Sequence, residues 1–109
     1  MSEYRDLFGD WATTVLSVET AMGQTPLGRA YAPARQTEPV SVQDEVKLVR
    51  TSGGEEVTST GVVYAPLDYR TWLTEGSRVA RPDGRRSVVA VLRVWETPDM
   101  PAYVEARLD

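Results

Sequence analysis

The side chains of this chain that could do chemistry are carboxylates, arginines and a few aromatics. Adjacent acids occur twice, at Asp44-Glu45 and Glu55-Glu56. Neighbouring residues on a strand point to opposite faces, so neither pair forms a metal cage by itself; both suit the solvated ends of a hairpin. Gly53-Gly54 runs directly into two acids that would repel a phosphate, and no Lys-Ser/Thr pair closes a Walker loop. Trp72 and Trp95 could form a stacking platform for single-stranded nucleic acid. The net charge of −4 opposes that role, because such affinity comes mainly from phosphate neutralisation, and favours packing in a core or an interface.

Two absences narrow the chemistry further. With no cysteine there is no disulfide framework, zinc knuckle or thiol nucleophile. With no histidine, the side chain that titrates unperturbed near neutral pH is missing, and Ser-His-Asp triads and HExxH zinc sites go with it. Only carboxylate or lysine catalysis would remain. The expectation is a protein that is not an enzyme and uses no cofactor.

The charge is uneven. Between Arg78 and Arg93 stand five arginines against the single acid Asp83, a local charge of +4 that leaves −8 for the rest of the chain. One reading is a solvated strand face. The other is a basic docking face made by Arg78, Arg81, Arg85 and Arg86, set against an acidic neighbour.

The elements that must position these residues follow from periodicity. Tyr4, Leu7, Phe8 and Trp11 recur at i, i+3, i+4 and i+7, one face of a short N-terminal helix with Ser2 as N-cap and Gly9 limiting its length. Residues 1–12 therefore read as an arm, which either caps its own domain or reaches onto a neighbouring subunit as an aromatic interface anchor. From residue 13 to 22 the period changes to two, a strand with Leu16, Val18, Thr20 and Met22 on one side. Residues 23–43 are rich in Gly and Pro with little periodicity, a long loop carrying Arg29, Tyr31 and Arg35, with residues 38–42 as a candidate short strand within it.

The second half reads as a run of strands. Residues 44–50 alternate, with Val46 and Leu48 set against Glu45 and Lys47, and Ser52-Gly53-Gly54-Glu55 turns the chain into a partner strand ended by Pro66. Tyr69 and Trp72 fall in a short turn or helical piece. Pro82-Asp83-Gly84-Arg85 is a strong turn signal. Residues 86–96, with Val88, Val89, Ala90, Val91, Leu92 and Val94, read as a strand buried on both faces. Residues 102–108 alternate, with Val104, Ala106 and Leu108 inward. About six short strands with regular turns predict an all-β fold, a small antiparallel β-barrel spanning residues 13–109.

A chain of 109 residues with 41% hydrophobic and 26% charged content suits one globular domain, not a disordered chain. No apolar run approaches the roughly 20 residues of a membrane-spanning helix. The opening Met-Ser-Glu-Tyr-Arg-Asp lacks a signal-peptide pattern, so synthesis in the cytoplasm and no membrane partner are expected.

The order of features resembles the head-closure, or head-to-tail stopper, proteins of long-tailed bacteriophages. The matching features are the opening strand 13–22 and the long Gly/Pro loop, then the hairpin ending in Val62-Val63-Tyr64-Ala65-Pro66. After these come Gly76-Ser77-Arg78-Val79 with the Pro82-Asp83-Gly84-Arg85 turn, the core strand 87–94, and the closing Pro101-Ala102-Tyr103-Val104-Glu105-Ala106-Arg107-Leu108. Tyr69-Arg70-Thr71-Trp72 departs from that pattern, and the N-terminal aromatic segment lies outside it. The resemblance implies a virion neck protein, assembled in the host cytoplasm as a ring of copies. Its partners would be the portal–adaptor proteins and the tail terminator, with packaged DNA passing through the channel unbound. It also places the long loop near the channel, with Arg29, Tyr31 and Arg35 as gating contacts. Other readings are a tail-completion protein and, from a different class, a monomeric β-barrel adaptor that binds a peptide in a pocket of Trp72 and Tyr69.

Overall fold

Short alternating segments separated by turn residues give a chain made almost wholly of strands. The computed structural model describes residues 8–109. The strands are β1 (Ala12–Thr14), β2 (Ser17–Glu19), β3 (Ala21–Thr25), β4 (Gly28–Tyr31), β5 (Arg35–Gln36), β6 (Val40–Arg50), β7 (Glu56–Pro66), β8 (Arg78–Ala80), β9 (Arg86–Thr97) and β10 (Met100–Leu108). A 3-10 helix, Leu67–Thr71, follows β7 at Pro66.

Eight strands form one antiparallel sheet in the order β1-β6-β7-β10-β9-β8-β2-β5, and β3 pairs with β4 as a separate ribbon. The all-β class holds, but the expected closed barrel does not: β1 and β5 end the order without pairing to each other. The cause lies in the opening strand, which breaks at Val15-Leu16. The Leu16 N–H donates to Thr37 Oγ1 at 3.0 Å and its C=O accepts the Thr37 N–H at 2.8 Å, so its backbone serves the segment after β5. β1 then pairs with β6 and β2 with β8. Because two residues join strands near opposite ends of the order, the sheet is tightly curled although open.

The inside of the curl is the core. Leu16, Val18, Val63, Leu73, Val104 and Leu108 are fully buried there, with Val40, Val79, Val89 and Ala106 among them. The alternation expected for residues 102–108 is present, since Val104, Ala106 and Leu108 are all buried. Each buried Val or Leu side chain contributes about 1.5–3 kcal/mol by leaving water.

Four sequence expectations need correction. Strand β9 is not buried on both faces: Val89 and Val91 are buried, but Val94 and Trp95 are well exposed. Its outer half pairs with β10 while β8 covers only residues 86–88, so a continuous apolar run here does not mean two covered faces. On β6, Val46 and Leu48 are 77% and 67% exposed and Val49 turns inward. The register with β7 slips between Asp44 and Lys47, and a one-residue bulge exchanges the faces of everything beyond it.

The long loop of residues 23–43 is largely strand: β3 and β4 join through Pro26-Leu27, with Gly28 at φ 116, and β5 and the start of β6 follow. Small and glycine residues hid its alternation. The expected arm helix falls mostly on residues outside the described range, Tyr4 and Leu7 among them. It does not run through Trp11: the chain turns after Phe8, closed by the Trp11 N–H to the Phe8 C=O at 2.8 Å, and enters β1.

Phe8 packs on the outer face of the sheet. Its ring stacks on Tyr64 at a centroid distance of 5.2 Å and meets Tyr103 edge-on at 5.0 Å, while Trp95 stacks on Tyr103 at 6.4 Å. Trp11, one turn later, is exposed. Of the described arm residues, Phe8 therefore anchors to its own sheet and Trp11 faces outward.

Candidate functional site

Two turn-rich segments, the β3–β4 ribbon and the β8–β9 hairpin, bring together the residues singled out in the sequence. At the base of the ribbon, the Arg78 guanidinium lies 3.7 Å from the centre of the Tyr31 ring and also donates to Glu19 Oε2 at 3.2 Å. One expected gating residue thus meets one expected docking residue. Arg35 stacks over Trp72 at 3.8 Å. Arg29 lies against Gly76, whose φ of +88 and missing Cβ leave room for the guanidinium. The Ala21 N–H donates to Ser77 Oγ at 3.0 Å and Thr20 Oγ1 to the Trp72 C=O at 2.9 Å, fastening the base of the ribbon to the body. Beyond that base, Met22 is 67% and Leu27 100% exposed.

The β8–β9 turn has the geometry its sequence requires. Gly84 takes φ +92, the Arg81 N–H reaches the Arg85 C=O at 2.9 Å, and Asp83 Oδ1 accepts the Arg85 N–H at 3.0 Å. This hairpin folds across the curl to β6. Arg81 Nη1 and Arg85 Nη1 both donate to Asp44 Oδ1, at 2.8 and 3.1 Å, and Arg85 Nε donates to Asp83 Oδ2 at 2.8 Å. Arg81 hydrogen-bonding holds the Asp44 carboxyl below its ordinary value, and the Arg85 backbone and side chain do the same for Asp83. Arg81 and Arg85 are therefore both ion-paired within the chain, Arg85 with its side chain still 57% exposed, so the expected basic face also carries the acids Asp44 and Asp83. Among the described residues Arg86 has no ion pair.

Arg86 and Arg78 both line an open groove of about 550 Å³ on one face of β2, β8 and β9. Ser17, Ala34, Ala80 and Val88 line it as well, together with two acids, Glu19 and Asp109. Asp109 is held in place, since its Oδ1 accepts the Val88 N–H at 2.8 Å. A smaller cleft of about 220 Å³ lies between β1 and the β8–β9 turn, beside Thr13, Arg81 and Arg85.

Tyr69 and Trp72 line neither of these two clefts. Tyr69 is buried, its ring edge-on to Trp72 at 4.8 Å, and its hydroxyl accepts the Glu38 N–H at 2.9 Å. Both rings fill the core wall. Trp72 and Trp95 form no joint platform either, because Trp95 sits on the outer face and donates to Glu105 Oε1 at 3.1 Å.

Sequence reading missed the polar cluster under Trp95. Arg107 and Glu105 are buried on β10, where alternation marked them as outward. Arg107 Nε donates to Glu105 Oε2 at 2.7 Å and Arg107 Nη1 to Glu45 Oε1 at 2.6 Å. Arg107 holds the Glu45 carboxyl below its ordinary value, while burial raises the Tyr64 and Tyr103 hydroxyls nearby. Their position on a central strand, with β7 and β9 on either side, was the available signal. Among the described residues no three carboxylates gather in a metal-sized group. No family model, no curated protein and no solved structure matches this chain.

Proposed function

We propose that this chain is a structural, non-catalytic protein of a bacteriophage neck. It acts as a head-to-tail stopper, its copies forming a ring between the portal–adaptor assembly and the tail. The ring retains packaged DNA and offers a docking surface to the tail. The observation that carries this reading is the β3–β4 ribbon. A two-stranded pair is marginal in water by itself, and this one displays Met22 and Leu27 to solvent while Tyr31, Arg29 and Ala21 fasten its base. Such a ribbon suits contact with a neighbour, and it occupies the segment that the resemblance assigns to the channel. The acidic balance of the chain suits a channel through which DNA must leave.

A cryo-electron microscopy reconstruction of the source particle tests this. A closed ring of this chain between adaptor and tail, ribbon towards the channel, supports the stopper. A position elsewhere in the neck or tail moves the role to tail completion. Absence from the particle refutes both.

The groove between Arg78 and Arg86 favours a second reading, a monomeric adaptor that holds an extended peptide there. It replaces the Tyr69–Trp72 pocket, and its support is a preformed cleft within the size range of binding sites.

A further inference from the structure

The same groove and the β6–β7 turn each present one charge without an ion pair among the described residues, Arg86 in the groove and Glu55 on the turn. The turn Ser52-Gly53-Gly54-Glu55 is narrow, because Gly53 and Gly54 carry no side chains and Gly54 holds φ +87. It is closed by the Gly54 N–H to the Thr51 C=O and the Thr51 N–H to the Glu55 C=O, both at 2.9 Å. Its charge is acidic. Arg50 pairs with Glu56 at 3.0 Å and Glu75 accepts from Ser52 Oγ at 3.0 Å, which leaves the exposed Glu55 without an ion pair among the described residues. The groove is open and lined largely by small residues, with Glu19 and Asp109 beside its two arginines. Its wall carries Arg86, a cation without an acidic partner, and Arg78, held in place by Glu19 and Tyr31.

We propose that the tip of the β6–β7 hairpin of one copy seats in the Arg78–Arg86 groove of the next, with Glu55 facing Arg86. The contact joins two different patches, so it is heterologous and propagates head to tail, closing into a ring where the rotation permits. The inference rests on the ring reading and names the surfaces that would make it. Opposite charges at its centre set the register of docking, and salt weakens it.

The test is a charge exchange in the full chain, read by sedimentation over a concentration series at low salt. Arg86→Glu and Glu55→Arg each weaken association by about tenfold or more, and the double variant combining them recovers it. Both side chains are exposed, so far-ultraviolet circular dichroism should show the native fold in all three. Because the chain has no cysteine, a Glu55→Cys, Arg86→Cys variant adds a direct readout, a disulfide between copies on oxidation. Association that the single variants leave unchanged, with no such disulfide, overturns the hairpin-in-groove contact and leaves a ring built from other surfaces standing. A chain that stays monomeric and forms no disulfide at high concentration also overturns it. The particle reconstruction decides the ring reading separately.

Discussion

Arg107 on β10 donates from Nη1 to Glu45 on β6 across 2.6 Å, spanning the intervening strand β7. The pair is asymmetric: the Arg107 side chain is 7% exposed and that of Glu45 43%. Glu105, 11% exposed, holds the same guanidinium from its own strand. The bulge between Asp44 and Lys47 lies in the same stretch of β6, so the ion pair ties down the chain where its register changes.

Removing Arg107 leaves the Glu105 carboxylate buried and without its cation. Arg107→Ala is expected to lower stability by about 3 kcal/mol in urea unfolding. Glu45→Gln should cost far less, because that carboxylate is partly in water. Equal losses in the two variants would show that the cluster is no more than a surface pair.

Acid should loosen the fold at the Asp44, Glu45 and Asp83 contacts. Their folded pKa values lie below the ordinary 3.8, 4.5 and 3.8, so the folded state binds fewer protons than the unfolded one. Their contribution is complete above those ordinary values and is lost as pH falls through the lower, folded ones. With no histidine in the chain, urea midpoints should be nearly level from about pH 8 to 5 and fall below about pH 4. A midpoint that changes between pH 8 and 6 would contradict this.

Gly76 and Gly84 both hold positive φ, but only Gly76 has a neighbour where a Cβ would stand, the Arg29 guanidinium. Gly84→Ala should cost about 1 kcal/mol through backbone strain alone. Gly76→Ala should cost more, and adding Arg29→Ala should recover the excess but not the strain. Thermal unfolding of the three variants checks it.

Leu73 and Leu48 contrast a core leucine with an exposed one. Leu73 is fully buried, and Leu73→Ala is expected to lower stability by about 3 kcal/mol. Leu48 is 67% exposed on the outer face, so Leu48→Ala should change stability by less than about 0.5 kcal/mol. A large stability loss at Leu48 would mean that the bulge does not turn it outward.

The local signals were legible because they depend on a few adjacent residues. Pro82-Asp83-Gly84-Arg85 and Ser52-Gly53-Gly54-Glu55 specify tight turns, and the alternation of Val104, Ala106 and Leu108 specifies an inward face. These statements needed no knowledge of the rest of the chain, and the all-β class followed from them.

What depended on non-adjacent residues was decided only in three dimensions. Whether Val46 or Val49 faces the core rests on a bulge in the pairing of β6 with β7. Whether the opening strand continues into one sheet rests on Thr37 taking the backbone of Leu16. Five arginines in one segment look like a single basic face in sequence, but the curl brings Asp44 onto Arg81 and Arg85 and leaves Arg86 facing the groove. Charge is a property of residues, whereas its availability to a partner depends on which opposite charges the fold brings within reach.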